Sequence, residues 1–138
     1  VEDAAASFRG TADAAGVKLE SRVASSLPAV EADPVRIAEV FSNLLSNAVR
    51  HTPAGGAVTI SASGGSDHIE LSVEDSGPGI AEEELARVFD RFVKSPDSAG
   101  AGLGLAIARS LVMAHGGTIA AERRAERGTR IRFTLPTD

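Results

Sequence analysis

The hydrophobic pattern of this chain changes period several times, and each change marks an element. From Pro34 to about His51 the apolar residues recur at helical spacing. With successive residues turned by about 100°, Ile37, Val40, Phe41, Leu44, Leu45, Ala48 and Val49 form one broad face. Asp33 followed by Pro34 is a start signal, a capping side chain and then proline at the first helical position. "TPAGG" ends the helix. Residues 17–23, "VKLESRV", alternate apolar and polar, as a half-buried strand does. "AVTISASG" and "HIELSVED" alternate on either side of Gly64 and Gly65 and predict an antiparallel hairpin. "LGLAIARSLVMAH" predicts an amphipathic helix, and "GGTIAAERR" and "GTRIRFTLP" predict two closing strands. Residues 3–15 are Ala-rich and fit a helix, although Gly10 weakens it. "SSLPAVEADP" predicts a connector with a short extended piece, "AEEELARVFDRF" a short helix and "KSPDSAGAG" a loop. Together these predict a two-layer α/β (α+β) sandwich, with a mixed, mostly antiparallel sheet of about five strands packed on three helices.

Composition narrows the classes of function. A chain of 138 residues can bury one proper core. A net charge of -5 and the lack of a long Lys/Arg cluster argue against a nucleic-acid partner. "ERRAER", near Glu122, is mixed in sign and predicts a solvated turn or strand face. Without cysteine there are no disulfides and no thiolate metal sites. No apolar run approaches the roughly 20 residues of a membrane span. The first residue is Val rather than Met, which suggests a piece of a longer protein.

Three stretches carry candidate chemistry. On the long helix Glu39, Asn43, Asn47 and Arg50 share a polar arc of roughly 80°, with His51 on its border. Magnesium takes hard oxygen ligands, keeps several waters and draws the rest from phosphate. An Asn47 oxygen suits that role, Arg50 could reach a phosphate, and His51 could lie against a base. Read alone, Asn47 equally fits a buried amide tying the helix to a loop. In "EDSGPGI" an acidic residue ends a strand and Gly77 and Gly79 follow. Asp75 could accept from an exocyclic amino group, or cap a strand-to-helix turn. In "GAGLGLAI" Gly100, Gly102 and Gly104 precede a helix, where freed N–H groups make a natural anion site, or simply a flexible entry to the helix. This stretch lacks the Gly-Lys-Ser/Thr of a Walker A loop, and Ile107 stands where the dinucleotide pattern needs a third glycine.

Taken in order, "NLLSNAVRHTP", "DSGPGI", "FDRF" and "GAGLGLAI" resemble the N box, first glycine box, F box and second glycine box of sensor histidine kinases. The closing "HGGTIAAERRAERGTRIRFTLP" resembles the end of that family's catalytic domain, so the likeness runs from about Leu27 to Pro136. The resemblance implies an ATP-binding catalytic domain of the GHKL superfamily with the Bergerat fold. It implies Asn47 as magnesium ligand, with Asn43 supporting the metal and phosphates and Arg50 at the phosphates. His51 takes the place of a common Tyr beside adenine, and Asp75 binds the adenine amino group. Gly77, Gly79 and Ile80 border the base. Gly100, Gly102, Leu103, Gly104 and Leu105 form the triphosphate cradle under a mobile lid, and Thr129 lies close to the adenine pocket. It further implies residues 1–16 as a helical segment leading from a dimerisation domain and residues 17–138 as the catalytic domain. The implied partners are the dimerisation and phosphoacceptor domain of the same protein and a response regulator. The implied setting is the cytoplasmic part of a dimeric, membrane-anchored sensor.

The chain departs from the family in places. The stretch from Phe92 to Gly100 is short for a lid, and Lys94 stands where Arg is common. His51, His68 and His115 all lack the context of the phosphoacceptor. His68 begins a strand and is expected to be exposed, and His115 ends a helix, where it can meet the last carbonyls. The alternative functions are an ATPase or serine kinase of the same superfamily, or nucleotide binding without catalysis. Those hydrolases use a Glu four residues before the magnesium Asn, and here that position is Asn43, which takes no proton near neutral pH. Glu39 lies two turns from Asn47, about 12 Å along the axis.

Overall fold

In the computed structural model, described for residues 2–23, 33–65, 67–77, 104–124 and 128–136, the chain forms three helices and five strands among those residues. They are α1 (Glu2–Ala14), β1 (Lys18–Val23), α2 (Pro34–His51), β2 (Ala57–Gly64), β3 (His68–Asp75), α3 (Gly104–Ala114), β4 (Ile119–Arg123) and β5 (Thr129–Pro136). The expected connector after β1, the short helix at 81–92 and the loop after it lie outside the described residues.

The strands form one mixed sheet in the order β1-β2-β3-β5-β4. β1 and β2 are parallel, which a tight turn cannot achieve. The connection between them carries α2, so this pair is a β-α-β unit. The remaining pairs are antiparallel, and β2–β3 is the predicted hairpin, with Ile60 opposite Val73 and Ala62 opposite Leu71.

Side chains alternate across a strand. Ile69, Leu71 and Val73 of β3 and Ile131, Phe133 and Leu135 of β5 therefore share the inner face, with Val58 and Ile60 of β2. On this face lie α2, through Val40, Phe41, Leu44, Leu45 and Ala48, and α3, through Ala108 and Val112. α1 joins the same core through Ala12, fully buried, and Phe8. Phe41 and Phe133 meet edge to face, centroids 5.5 Å apart. Phe133 is fully buried between the layers, so Phe133→Ala should cost about 3–5 kcal/mol in chemical denaturation. The outer face is polar. Arg130 and Arg132 alternate with Glu70, Glu74 and Glu122 at 3.3–4.0 Å, half-exposed pairs of modest worth.

The ends of α2 follow the sequence signals. Asp33 accepts from the Val35 N–H at 2.9 Å and Pro34 opens the first turn. At the other end Thr52 donates its hydroxyl to the Ala48 carbonyl at 2.7 Å, and its own N–H bonds to Val49. His115 lies just past α3. Its Nδ1 donates to the Leu111 carbonyl at 2.8 Å, and its Nε2 accepts the Asp33 N–H at 3.2 Å. Only the neutral Nδ1–H tautomer satisfies both. The contact joins the end of α3 to the start of α2. α3, of 11 residues, packs along α2. His68 begins β3 partly exposed, with Nδ1 2.8 Å from Asp67.

Candidate functional site

The inner-face alternation of β3 does not stop at Val73. The next inward position is Asp75, a carboxylate only 5% exposed at the end of a hydrophobic stripe. β5 begins in the same way, with Thr129 4% exposed ahead of Ile131. Two polar residues thus stand where the sheet's core face runs out. The C-terminal half of α2 closes over them.

The loop after Asp75 is held tightly. The Gly77 N–H donates to the Asp75 carboxylate at 3.0 Å. Ser76 bonds both ways to the first residue of β2: its N–H donates to the Ala57 carbonyl at 3.1 Å, and its Oγ accepts the Ala57 N–H at 2.9 Å. A Cβ on Gly77 would sit 2.2 Å from the His51 carbonyl, so a glycine lets this loop touch the end of α2. The Thr129 N–H also donates to the Asp75 carboxylate. Burial pushes the Asp75 carboxyl above its ordinary value. The Gly77 and Thr129 N–H groups oppose this first, then the charges of His51 and Arg124. A buried carboxyl shifted in this way is a candidate binding group.

On α2, Asn47 is 8% exposed and Asn43 half-buried. Arg50 is exposed on the last turn, and His51 lies beside the Asp75 loop. The Asn43 amide nitrogen is buried and has no hydrogen-bond partner among the described residues. A phosphate oxygen or an ion's water shell would accept from it. Among the described residues no cluster of three or more His, Asp or Glu could cage a metal. The donor set fits an ion held by one amide oxygen, waters and a ligand's own phosphates. Glu39 is turned to a surface pair with Arg36 at 3.5 Å.

His51, Asp75, Gly77 and Thr129 meet at one end of the sheet. Asn43, Asn47 and Arg50 stand on the same helix as His51, Gly104 opens α3, and Leu105 is half-buried against the core. Gly79, Ile80, Gly100, Gly102 and Leu103 lie outside the described residues. Arg124, within the stretch expected to be a solvated face, instead donates Nη1 to the Asp75 carbonyl at 3.0 Å. Its position in sequence carries no signal of that bond.

The fold is a two-layer α/β sandwich whose core face ends in a buried carboxylate and a glycine turn, beside a helix that carries a pair of amides. Residues 32–138 match the family described as histidine kinase-, DNA gyrase B- and HSP90-like ATPase. The sensor histidine kinase WalK of Bacillus subtilis is 42% identical over 78% of this chain and 19% of its own length. The full-length kinase ShkA, solved in complex with AMPPNP, superposes with a TM-score of 0.88 at 34% identity, covering 98% of this chain and 28% of that one. The catalytic domain of histidine kinase ThkA, solved nucleotide-free, superposes with a TM-score of 0.88 at 31% identity, covering 99% of this chain and 90% of that one. ThkA has also been solved with the response regulator TrrA. The chain belongs to the histidine kinase-, DNA gyrase B- and HSP90-like ATPase family, as an ATP-binding catalytic domain of the sensor-histidine-kinase type. It spans less than a third of the length of the first curated relatives it matches.

Proposed function

We propose that this chain binds Mg-ATP and donates the γ-phosphoryl group to a histidine on a separate dimerisation domain, for relay to an aspartate of a response regulator. The observation that carries the reading is the buried Asp75 carboxylate, held by two backbone N–H groups at the open end of the core. A carboxylate accepts from the amino group of adenine and repels the carbonyl of guanine. Gly77 lets the backbone approach the base, and His51 and Thr129 flank it. By the family resemblance, Gly79 and Ile80 would border the base as well.

Asn47 offers its amide oxygen to the magnesium ion, Asn43 offers its spare donor to the phosphates or to ordered water, and Arg50 neutralises phosphate charge. Gly100, Gly102, Leu103, Gly104 and Leu105 form the cradle at the start of α3, where backbone N–H groups favour an anion. Magnesium, when bound, supplies charge neutralisation between the phosphates. The protein's own contribution is positioning, because phosphoryl transfer asks for little covalent help. The bond from the γ-phosphorus to the bridging oxygen breaks, ADP leaves, and the new bond forms to an imidazole nitrogen of the phosphoacceptor.

The surroundings favour a kinase over a hydrolase. The position one turn before Asn47 is Asn43, which cannot activate water, and Glu39 is committed to Arg36. WalK and ThkA are histidine kinases by name, and ThkA's complex with TrrA supports a response regulator as partner. Residues 1–16 lead from the dimerisation domain, and residues 17–138 are the catalytic domain. The whole protein is a dimer with this domain in the cytoplasm, commonly membrane-anchored. No helix among the described residues is long and apolar enough to cross a membrane.

Asp75→Asn tests the reading directly. Calorimetry with AMPPNP should show affinity lowered by about tenfold or more and the preference over a GTP analogue reduced. Equal discrimination by variant and parent would remove Asp75 from the base pocket. Stability should move the other way. A carboxyl whose folded pKa is raised lends its stabilisation below the unfolded value of about 3.9, and that is lost as pH rises through the folded value. At neutral pH the substitution removes a buried charge, so the melting temperature should stay level or rise.

A further inference from the structure

We infer that Arg124 is a positioning residue for Asp75, fixing the backbone and the charge of the base-recognising carboxylate from the neighbouring β4–β5 turn. The inference rests on the nucleotide reading above and goes beyond it, to a residue outside the N, F and glycine boxes.

The geometry is specific. The pairing of β3 with β5 ends at Glu74 opposite Arg130. Beyond that pair the Thr129 N–H turns to the Asp75 side chain. The Asp75 carbonyl is met instead by the Arg124 guanidinium, Nη1 to oxygen 3.0 Å. The same carbonyl is pressed by Gly128, where a Cβ would stand 1.8 Å from the oxygen. Gly128 has φ +104°, and its carbonyl accepts the Arg124 N–H at 3.0 Å, closing the turn. Arg124 is aimed in part by Glu74, whose carboxylate lies 3.9 Å from its Nε. One side chain therefore links the turn, the end of β3 and the charge beside the pocket.

The charge matters as much as the bond. Asp75 recognises an amino group only as a carboxylate, and burial works against that form. The charged groups facing it are His51 from α2 and Arg124 from the end of β4; the Gly77 and Thr129 N–H groups complete its surroundings. A guanidinium is a permanent cation, whereas an imidazole is not. Arg124 thus favours the ionised form of Asp75 alongside His51 and the two backbone N–H groups.

The test is made on the full chain with Arg124→Ala, Arg124→Gln and Arg124→Lys. The Asp75 carboxyl is titrated by carbon NMR without nucleotide, AMPPNP affinity is measured by calorimetry with magnesium across pH, and melting is followed alongside. Arg124→Ala should move the Asp75 titration to higher pH and weaken AMPPNP binding by about tenfold, more steeply toward acid. Arg124→Lys should restore the titration, while Arg124→Gln should not. Unchanged titration and affinity in Arg124→Ala would overturn the inference. So would a loss of affinity with Asp75 titrating as in the parent, since that is a folding effect alone. If the parent itself binds no AMPPNP, the nucleotide reading falls, and the NMR titration still decides whether Arg124 governs Asp75.

Discussion

Asn47→Ala is expected to abolish magnesium-dependent binding of AMPPNP while leaving the domain folded. Groups that merely orient a metal ligand cost about 10–100-fold when removed, so loss of a direct ligand should cost of order 100-fold or more. The discriminating measurement is calorimetry with and without EDTA. In magnesium the parent should bind far more tightly than the variant; with the metal chelated the two should converge. A parent that binds equally well with and without magnesium would take the ion out of the mechanism, and a variant that keeps its magnesium dependence would take Asn47 out of the site. Folding should not confuse the result. Asn47 lies at the edge of the apolar face of α2 rather than in its middle, and Ala is a better helix former than Asn. The melting temperature should therefore hold or rise slightly. The Asn43 nitrogen one turn away has no hydrogen-bond partner among the described residues, and under the same proposal a ligand would satisfy it.

The second large effect is expected at Gly128, a position with no polar atom to offer a ligand. Its backbone sits at φ +104°, where an L side chain is strained, and an added Cβ would lie 1.8 Å from the Asp75 carbonyl. The neighbour is backbone in the central strand, which has no cheap way to move. Gly128→Ala should cost roughly 3 kcal/mol or more in chemical denaturation. It should also weaken AMPPNP binding in whatever fraction stays folded, because the Asp75 carbonyl and the Arg124 turn must part. Serial denaturation with and without AMPPNP separates the two effects. A variant that loses neither stability nor affinity would mean that the turn does not press on Asp75.

The elements near the site illustrate how far a sequence can be read. α2 begins and ends where its cap, its proline and its apolar period say, because each signal acts within a turn or two of the chain. The β2–β3 hairpin is legible for the same reason, its alternation and its glycines being local. The parallel pairing of β1 with β2 was not legible. It is decided by which edge of the sheet is free once α2 has crossed over, a question of the whole layer rather than of "VKLESRV". Arg124 shows the same limit at the level of chemistry. In "ERRAER" it is one of three arginines, alike in composition. Only the end of the β3–β5 ladder singles it out, by leaving one carbonyl for it to meet.

By itself, then, the sequence determined which residue types stand ready for the proposed nucleotide site: two helix amides, a strand-ending acid and glycines where backbone must come close. Those are choices of chemistry, and chemistry is written one residue at a time. Tertiary structure alone decided that Asp75 and Thr129 end neighbouring core stripes, that the end of α2 lies on Gly77, and that a guanidinium 49 residues away in the chain steadies the acid. Such placements depend on register between strands far apart in sequence, and register is set by packing the whole inner face at once.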